Sequence, residues 1–195
     1  ELWVTRKNRI PLAERLYVAH HISSALCCLH QNNVVFCDLQ PDSIGFDMEG
    51  NLKLFDFSSA QTTTDTTKKS LHMSTSSSSL MSSSTMDSGD YVAPEVLNGK
   101  SQPTCASDVF SYTLVLWELL MLMPATSNET SEYVRLISES NWPLWARDIV
   151  QHGLASDVNE RTNMRAIQRC LRRVLKKEEQ NERLNQSLQQ KIQVE

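Results

Sequence analysis

The chain is poor in glycine: five in 195 residues, none of them in a GxGxxG arrangement. No glycine-rich loop able to cradle phosphates through bare backbone can therefore be written anywhere in it. Basic excess is also missing. A formal net charge of −4 offers no field to a phosphate backbone, which argues against nucleic acid as a partner. The five cysteines, at 27, 28, 37, 105 and 170, contain no CxxC pair and no companion histidine spacing. That argues against both a disulfide framework and a zinc site, and it suits a reducing intracellular setting, here taken as cytoplasmic. The N-terminus is charged within a few residues, at Arg6, Lys7 and Arg9, and lacks an apolar h-region, so no signal peptide is expected. The longest apolar run, YTLVLWELLMLMP at 112–124, carries Glu118 and stops at Pro124. It is too short to cross a bilayer and reads as a buried core helix, and no membrane partner is expected.

What is present, at 40% apolar content, is enough for one domain with a sizeable core. Leu12, Leu16, Ala19, Ile22, Ala25, Leu26 and Leu29 recur at three- and four-residue steps after Pro11 and predict a helix over 11–31. Val34 and Val35 open a short extended segment. SIGFD and NLKLFDF, separated by MEGN, predict a small hairpin. Helical periodicity returns at 107–123, where Ser107 or Asp108 can cap, and again at 130–139, 143–152 and 162–178. Between them, Ser and Thr fill 19 of the 31 positions from 58 to 88. Such a stretch buries too little surface to offset its ordering entropy and is expected to be a mobile loop. The last residues, 176–195, place Leu184, Leu188 and Ile192 at helical spacing on a polar rod. This extension is either a solvated helix or a weak partner-binding seam.

Asp38 and Asp56 stand eighteen positions apart, and isolated aspartates in loops are mostly caps and turn formers. Their surroundings change that reading. CDLQPDSIGF, KLFDFSSA, YVAPEVLNG and SDVFSYTLVLWELL follow one another in the order and near the spacing of the large, C-terminal lobe of eukaryotic protein kinases, which the chain resembles over about 10–175. Asp38 stands at the aspartate of the His-Arg-Asp-Leu-Lys-Pro-x-x-Asn loop, Asp56 at that of Asp-Phe-Gly, and Ala93, Pro94 and Glu95 repeat Ala-Pro-Glu. Asp108 matches the aspartate that opens the long buried helix, and Arg161 the arginine that pairs with Glu95.

The resemblance implies a mainly α fold with a small β-hairpin, a kinase-like large lobe over 1–175 without its small lobe, and ATP- and Mg²⁺-dependent phosphoryl transfer to Ser or Thr of proteins. It gives Asp38 the role of orienting the attacking hydroxyl and Asp56 that of holding magnesium through a hard oxygen. Ser88 falls where Ser/Thr-directed kinases carry a threonine, and the Ser/Thr-rich insert where their activation segment runs.

Four departures accompany the match. Gln40 replaces the lysine that neutralises the transferring phosphate, an omission of the kind that costs ~10²–10³ in rate. Ser43 replaces the asparagine that binds the second metal, offering a shorter and poorer donor. Cys37 replaces the arginine that pairs with a phosphorylated activation segment, and reads as a small buried residue with an inert thiol. Ser58 replaces the glycine after Asp-Phe, restricting the backbone of the turn. Together with the missing glycine-rich small lobe, these imply weak or absent ATP binding and impaired transfer. The alternative is a pseudokinase-type module that keeps the fold and contacts a protein partner, or a small lobe supplied separately.

Overall fold

The computed structural model describes residues 10–63, 90–125 and 129–194. Residues 64–88 of the Ser/Thr-rich stretch, with Ser88, lie outside them, as does the side chain of Ile192.

Helix α1, Leu12–Gln31, buries Leu16, Ala19, Ile22, Leu26 and Cys27, the stripe that the three- and four-residue spacing predicts. Asn32 closes it by donating its amide to the carbonyls of Cys28 and Leu29, and Asn33, in the left-handed region at φ 59°, turns the chain back. Strand β1, Val34–Val35, follows, then a single 3₁₀ turn at Pro41–Ser43. Strands β2, Ile44–Phe46, and β3, Leu52–Leu54, form the expected hairpin, pairing Phe46 with Leu52. Gly50 supplies the positive φ of 82° at its tip, and its amide reaches the Asp47 carbonyl at 3.0 Å.

The first residues of the Ser/Thr-rich stretch take up defined structure. A turn at Ser58 and Ser59 leads into strand β4, Gln61–Thr62, which pairs antiparallel with β1. The short helix α2, Pro94–Leu97, is followed by α3, Cys105–Met121, α4, Thr130–Glu139, α5, Leu144–Gly153, and α6, Met164–Val194.

Helix α3 is the hub. Eleven consecutive residues, Ser107–Trp117, are buried, as are Leu119 and Leu120. A helix buried all round sits in the middle of a structure, and α1, α4 and α5 pack around it while α6 lies along α1. Polar tethers fix the arrangement. Tyr112 donates its hydroxyl to Ala19 O at 2.9 Å, and Trp117 Nε1 donates to Tyr133 O at 3.3 Å with the two rings edge to face. Arg15 donates to Leu120 O at 2.9 Å, a cation on the negative end of α3. Gly153 of α5 backs directly onto Thr113 of α3, leaving no room for a β-carbon.

The start of α3 differs from expectation. Thr104 is the N-cap, and neither Ser107 nor Asp108 takes that position. Ser107 serves it from within the first turn: its hydroxyl accepts from Thr104 N at 2.9 Å and donates to Thr104 O at 2.7 Å. That leaves Asp108 free to point elsewhere. The helix expected at 162–178 begins at Met164 and runs on without a break, so the C-terminal extension is the outer half of α6. Leu184 and Leu188 on it are largely exposed. No helix among the described residues is long and apolar enough to cross a membrane.

Candidate active site

The Asp108 carboxylate, 1% exposed, is the foundation of the site. A buried carboxylate is costly unless donors surround it. Asp108 has three: Phe36 N at 2.8 Å, Cys37 N at 2.8 Å and His30 Nε2 at 2.8 Å. Asp108 thus collects the end of α1, the start of α3 and the backbone between β1 and Asp38. Cys37 sits in the left-handed region at φ 71°, a position non-glycine residues seldom take. The two amides captured by Asp108 hold it there. The Cys37 thiol is half-buried and pushed up to about 11, by burial first and then by the Asp108 charge, so it is protonated and inert, as its surroundings in the sequence suggest.

Phe36 and Leu39, both buried, anchor the loop on either side of Asp38. The alternation aims Asp38 outward, where Gln40 Nε2 donates to Asp38 Oδ1 at 3.4 Å. Gln40 therefore gives the carboxylate a neutral donor, in place of the full positive charge a lysine brings. Ser43 is buried, and its hydroxyl turns back on its own loop, donating to Gln40 O at 2.8 Å and accepting from Gln40 N at 3.1 Å. It closes the 3₁₀ turn.

Beyond the hairpin, Phe57 stacks edge to face on Phe36 with centroids 5.1 Å apart, drawing the turn at Asp56 toward the Asp38 loop. Asp56 itself has φ 57°, and its carboxylate accepts from Ser58 N at 3.2 Å. The left-handed residue of this turn is Asp56, and Ser58 has no positive φ. The turn thus forms with serine where the family has glycine, at no backbone cost.

The two carboxylates are driven apart electrostatically. Burial, and next the charge of Asp56, raise Asp38 above its usual range. The Ser58 side chain and then its amide hold exposed Asp56 below its own. Asp38 is thereby the more basic of the two carboxylates. The exposed Asp56 carboxylate fits a divalent cation. The Ser43 hydroxyl, occupied within its turn, does not present itself in the same way.

Glu95 and Arg161 meet as the sequence suggests. Arg161 Nη1 and Nη2 donate to Glu95 Oε1 and Oε2 at 2.7 and 2.8 Å, and the same guanidinium donates to Ala106 O and Ala155 O and lies 5.1 Å above the Phe110 ring. Burial works against the Glu95 charge, but Arg161 outweighs it and the carboxyl is held below its ordinary range.

Two side chains that the sequence reading passed over belong to this framework. His30 reads there only as one more polar residue at a helix end. Tyr91 donates its hydroxyl to Glu118 Oε1 at 2.6 Å, and its carbonyl accepts from Ser111 Oγ at 2.7 Å, so the segment before Ala93 is fastened to α3. A polar residue inside the apolar run at 112–124 was the available signal for Glu118.

Residues 2–191 match the model of the protein kinase domain. The chain is 28% identical over 163 residues to serine/threonine-protein kinase PKH2 of Saccharomyces cerevisiae, covering 77% of this chain and 14% of that protein. It is 30% identical over 156 residues to protein kinase 2 of Dictyostelium discoideum, covering 75% and 29%, and 36% identical over 116 residues to serine/threonine-protein kinase STY17 of Arabidopsis thaliana, covering 58% and 18%. In each case it spans less than a third of the relative's length. With the two aspartates, the Glu95–Arg161 pair and the Asp108 anchor in place, and the domain match extending over nearly its whole length, the chain belongs to the protein kinase family.

Proposed function

We propose that residues 1–175 are the large lobe of a Ser/Thr protein kinase domain in which phosphoryl transfer from ATP–Mg²⁺ is reduced or lost, and that 176–195 is an appended helical arm. The observation that carries this reading is the occupation of the two helper positions. Gln40 is on Asp38 and Ser43 is on the Gln40 backbone, so neither supplies a cation or a free metal-facing oxygen. Asp38 would orient a substrate hydroxyl and accept its proton, and Asp56 would hold magnesium, whose role when bound is to offset charge on the phosphates. Glu95, Asp108 and Arg161 hold the loops that carry them.

A small lobe has to cover the phosphates in this scheme. Support comes from the apolar side chains near the aspartates: Phe46, Phe55 and Phe57 are each 48% exposed. The deciding experiment is thermal stabilisation of the full-length protein by ATP with magnesium, alongside transfer of labelled phosphate to a generic protein substrate. A stabilisation that disappears in Asp56→Ala, with transfer far slower than in a kinase carrying the usual lysine and asparagine, is expected. No stabilisation in either protein would remove ATP from the reading.

The second reading is a protein-interaction module without catalysis. The exposed Leu184 and Leu188, one helical turn apart on the outer half of α6, favour it. It is distinguished by nucleotide-independent capture of a partner that is lost when both leucines are changed to lysine.

A further inference from the structure

The first half of α6 gathers positive charge in a chain that is acidic as a whole. Arg165, Arg169, Arg172, Arg173, Lys176 and Lys177 fall within 164–177, a stretch that holds no acidic residue, and all six are exposed. Ile167, Leu171 and Leu175 of the same half are buried, so the cations stand on the face turned away from the core. Arg165, Arg169, Arg172 and Lys176 recur at steps of four, three and four, one stripe rising ~16 Å along the helix. Among the described residues none of the six forms an ion pair. Their charge is felt next door: after burial and His21, Arg172 disfavours the proton of His20 on α1. We propose that this stripe is a docking surface for an extended segment of a partner protein rich in glutamate and aspartate.

Spacing selects an extended segment. Alternate residues of a strand lie ~6.6 Å apart on one side, and helix positions four apart are separated by ~6 Å along the axis. Successive carboxylates of such a segment can therefore meet successive cations of the stripe. Four of the six are arginines, whose planar fork takes a carboxylate through two hydrogen bonds.

Charge distribution selects a narrow partner over a broad one. The net charge of −4 includes these six cations, so the other residues together carry −10. A bilayer or a nucleic-acid duplex would bring its negative surface against those residues as well and be repelled by them. A single acidic segment can lie on α6 alone. The apolar side chains of this half are spent on the core, so the segment is held by charge and its hold weakens as salt rises.

The test uses the full chain and fluorescein-labelled octaglutamate, with binding read by anisotropy at low and at physiological ionic strength. Arg169→Glu is expected to weaken binding roughly tenfold. Lys100→Glu makes the same change of charge at an exposed position outside α6 and is expected to weaken it by no more than about twofold. Arg169→Gln, which removes the charge without reversing it, is expected to fall between them. Arg169 is exposed, so these variants fold as the parent does, which circular dichroism checks. Equal losses in Arg169→Glu and Lys100→Glu would reduce the effect to net charge and overturn the proposal. Absence of octaglutamate binding at low ionic strength overturns it too, as does tighter binding of phosphatidylserine vesicles or of a DNA duplex than of the peptide.

Discussion

His30 Nε2 and Asp108 Oδ2 lie 2.8 Å apart, and through this contact the end of α1 is bound to the carboxylate that carries the Phe36 and Cys37 amides. Burial alone would lower the His30 pKa, yet Asp108 and Cys105 raise it to about 9. The folded state therefore binds the His30 proton more tightly than the unfolded chain, with its ordinary value near 6.5. The stabilisation is fully present below about pH 6.5 and is lost as pH rises through about 9. Denaturant unfolding at pH 6.5, 8 and 9.5 should show the parent protein losing its advantage over His30→Gln along that series. A pH-independent difference would mean that His30 acts only as a neutral hydrogen-bond donor.

The bidentate pair of Arg161 and Glu95 closes the base of the site, with the Arg161 side chain wholly buried and that of Glu95 13% exposed. Removing one member strands the other's charge, so Arg161→Ala should cost on the order of 3 kcal/mol. Arg161→Lys should recover only part of this, since one ammonium cannot reproduce the fork onto Glu95, Ala106 O and Ala155 O. Replacing both partners with apolar residues should be milder than the single Arg161→Ala change. A double-mutant cycle in urea reads the coupling.

Gly153→Ala places a methyl group into Thr113, whose hydroxyl donates to Val109 O at 2.7 Å. Overpacking between α5 and α3 should destabilise by about 1–3 kcal/mol. Thr113→Ala in the same molecule should restore much of the loss. Thermal melts of the two single variants and the double variant check this, and additive losses would sink the packing argument.

If the reading of the site is correct, Gln40→Lys should raise phosphoryl transfer in the full-length protein by up to ~10²-fold, because it returns a positive charge to the phosphate side of Asp38. Asp38→Asn in that background should abolish the gain. Single-turnover transfer of labelled phosphate measures both, and an unchanged rate in Gln40→Lys would place the defect elsewhere.

The helices were legible because their apolar residues repeat with the right period. Thr130–Glu139 matches its expected bounds, α1 starts one residue later than expected, and α5 is shifted by one residue at both ends. The start of α3 was not: Ser107 and Asp108 were the expected caps, and Thr104, three residues before Ser107, takes the position. Only the demand of the Phe36 and Cys37 amides decides that Asp108 is used elsewhere. Strand β4 was hidden for a related reason. Gln61 and Thr62 carry no alternation of their own, and their extended form comes from pairing with β1 nearly thirty residues earlier. In the site, the pairing of Arg161 with Glu95 was readable from the motif around Glu95. The orientation of the Ser43 hydroxyl and the part played by His30 depend on contacts inside a turn and across 78 residues, which no local pattern encodes.

Helix α6 has 31 residues, and at ~1.5 Å per residue it is about 46 Å long. Only its first half is gripped: Met164, Ile167, Leu171 and Leu175 are buried, and α1 lies against it. The outer half is a lever arm with its fulcrum near Leu175. Helix α1, on which the first half rests, ends at the Asn32–Asn33 reversal and leads directly into the strand before Asp38. No side chain described beyond Leu175 is buried, so shortening the outer half leaves the core covered.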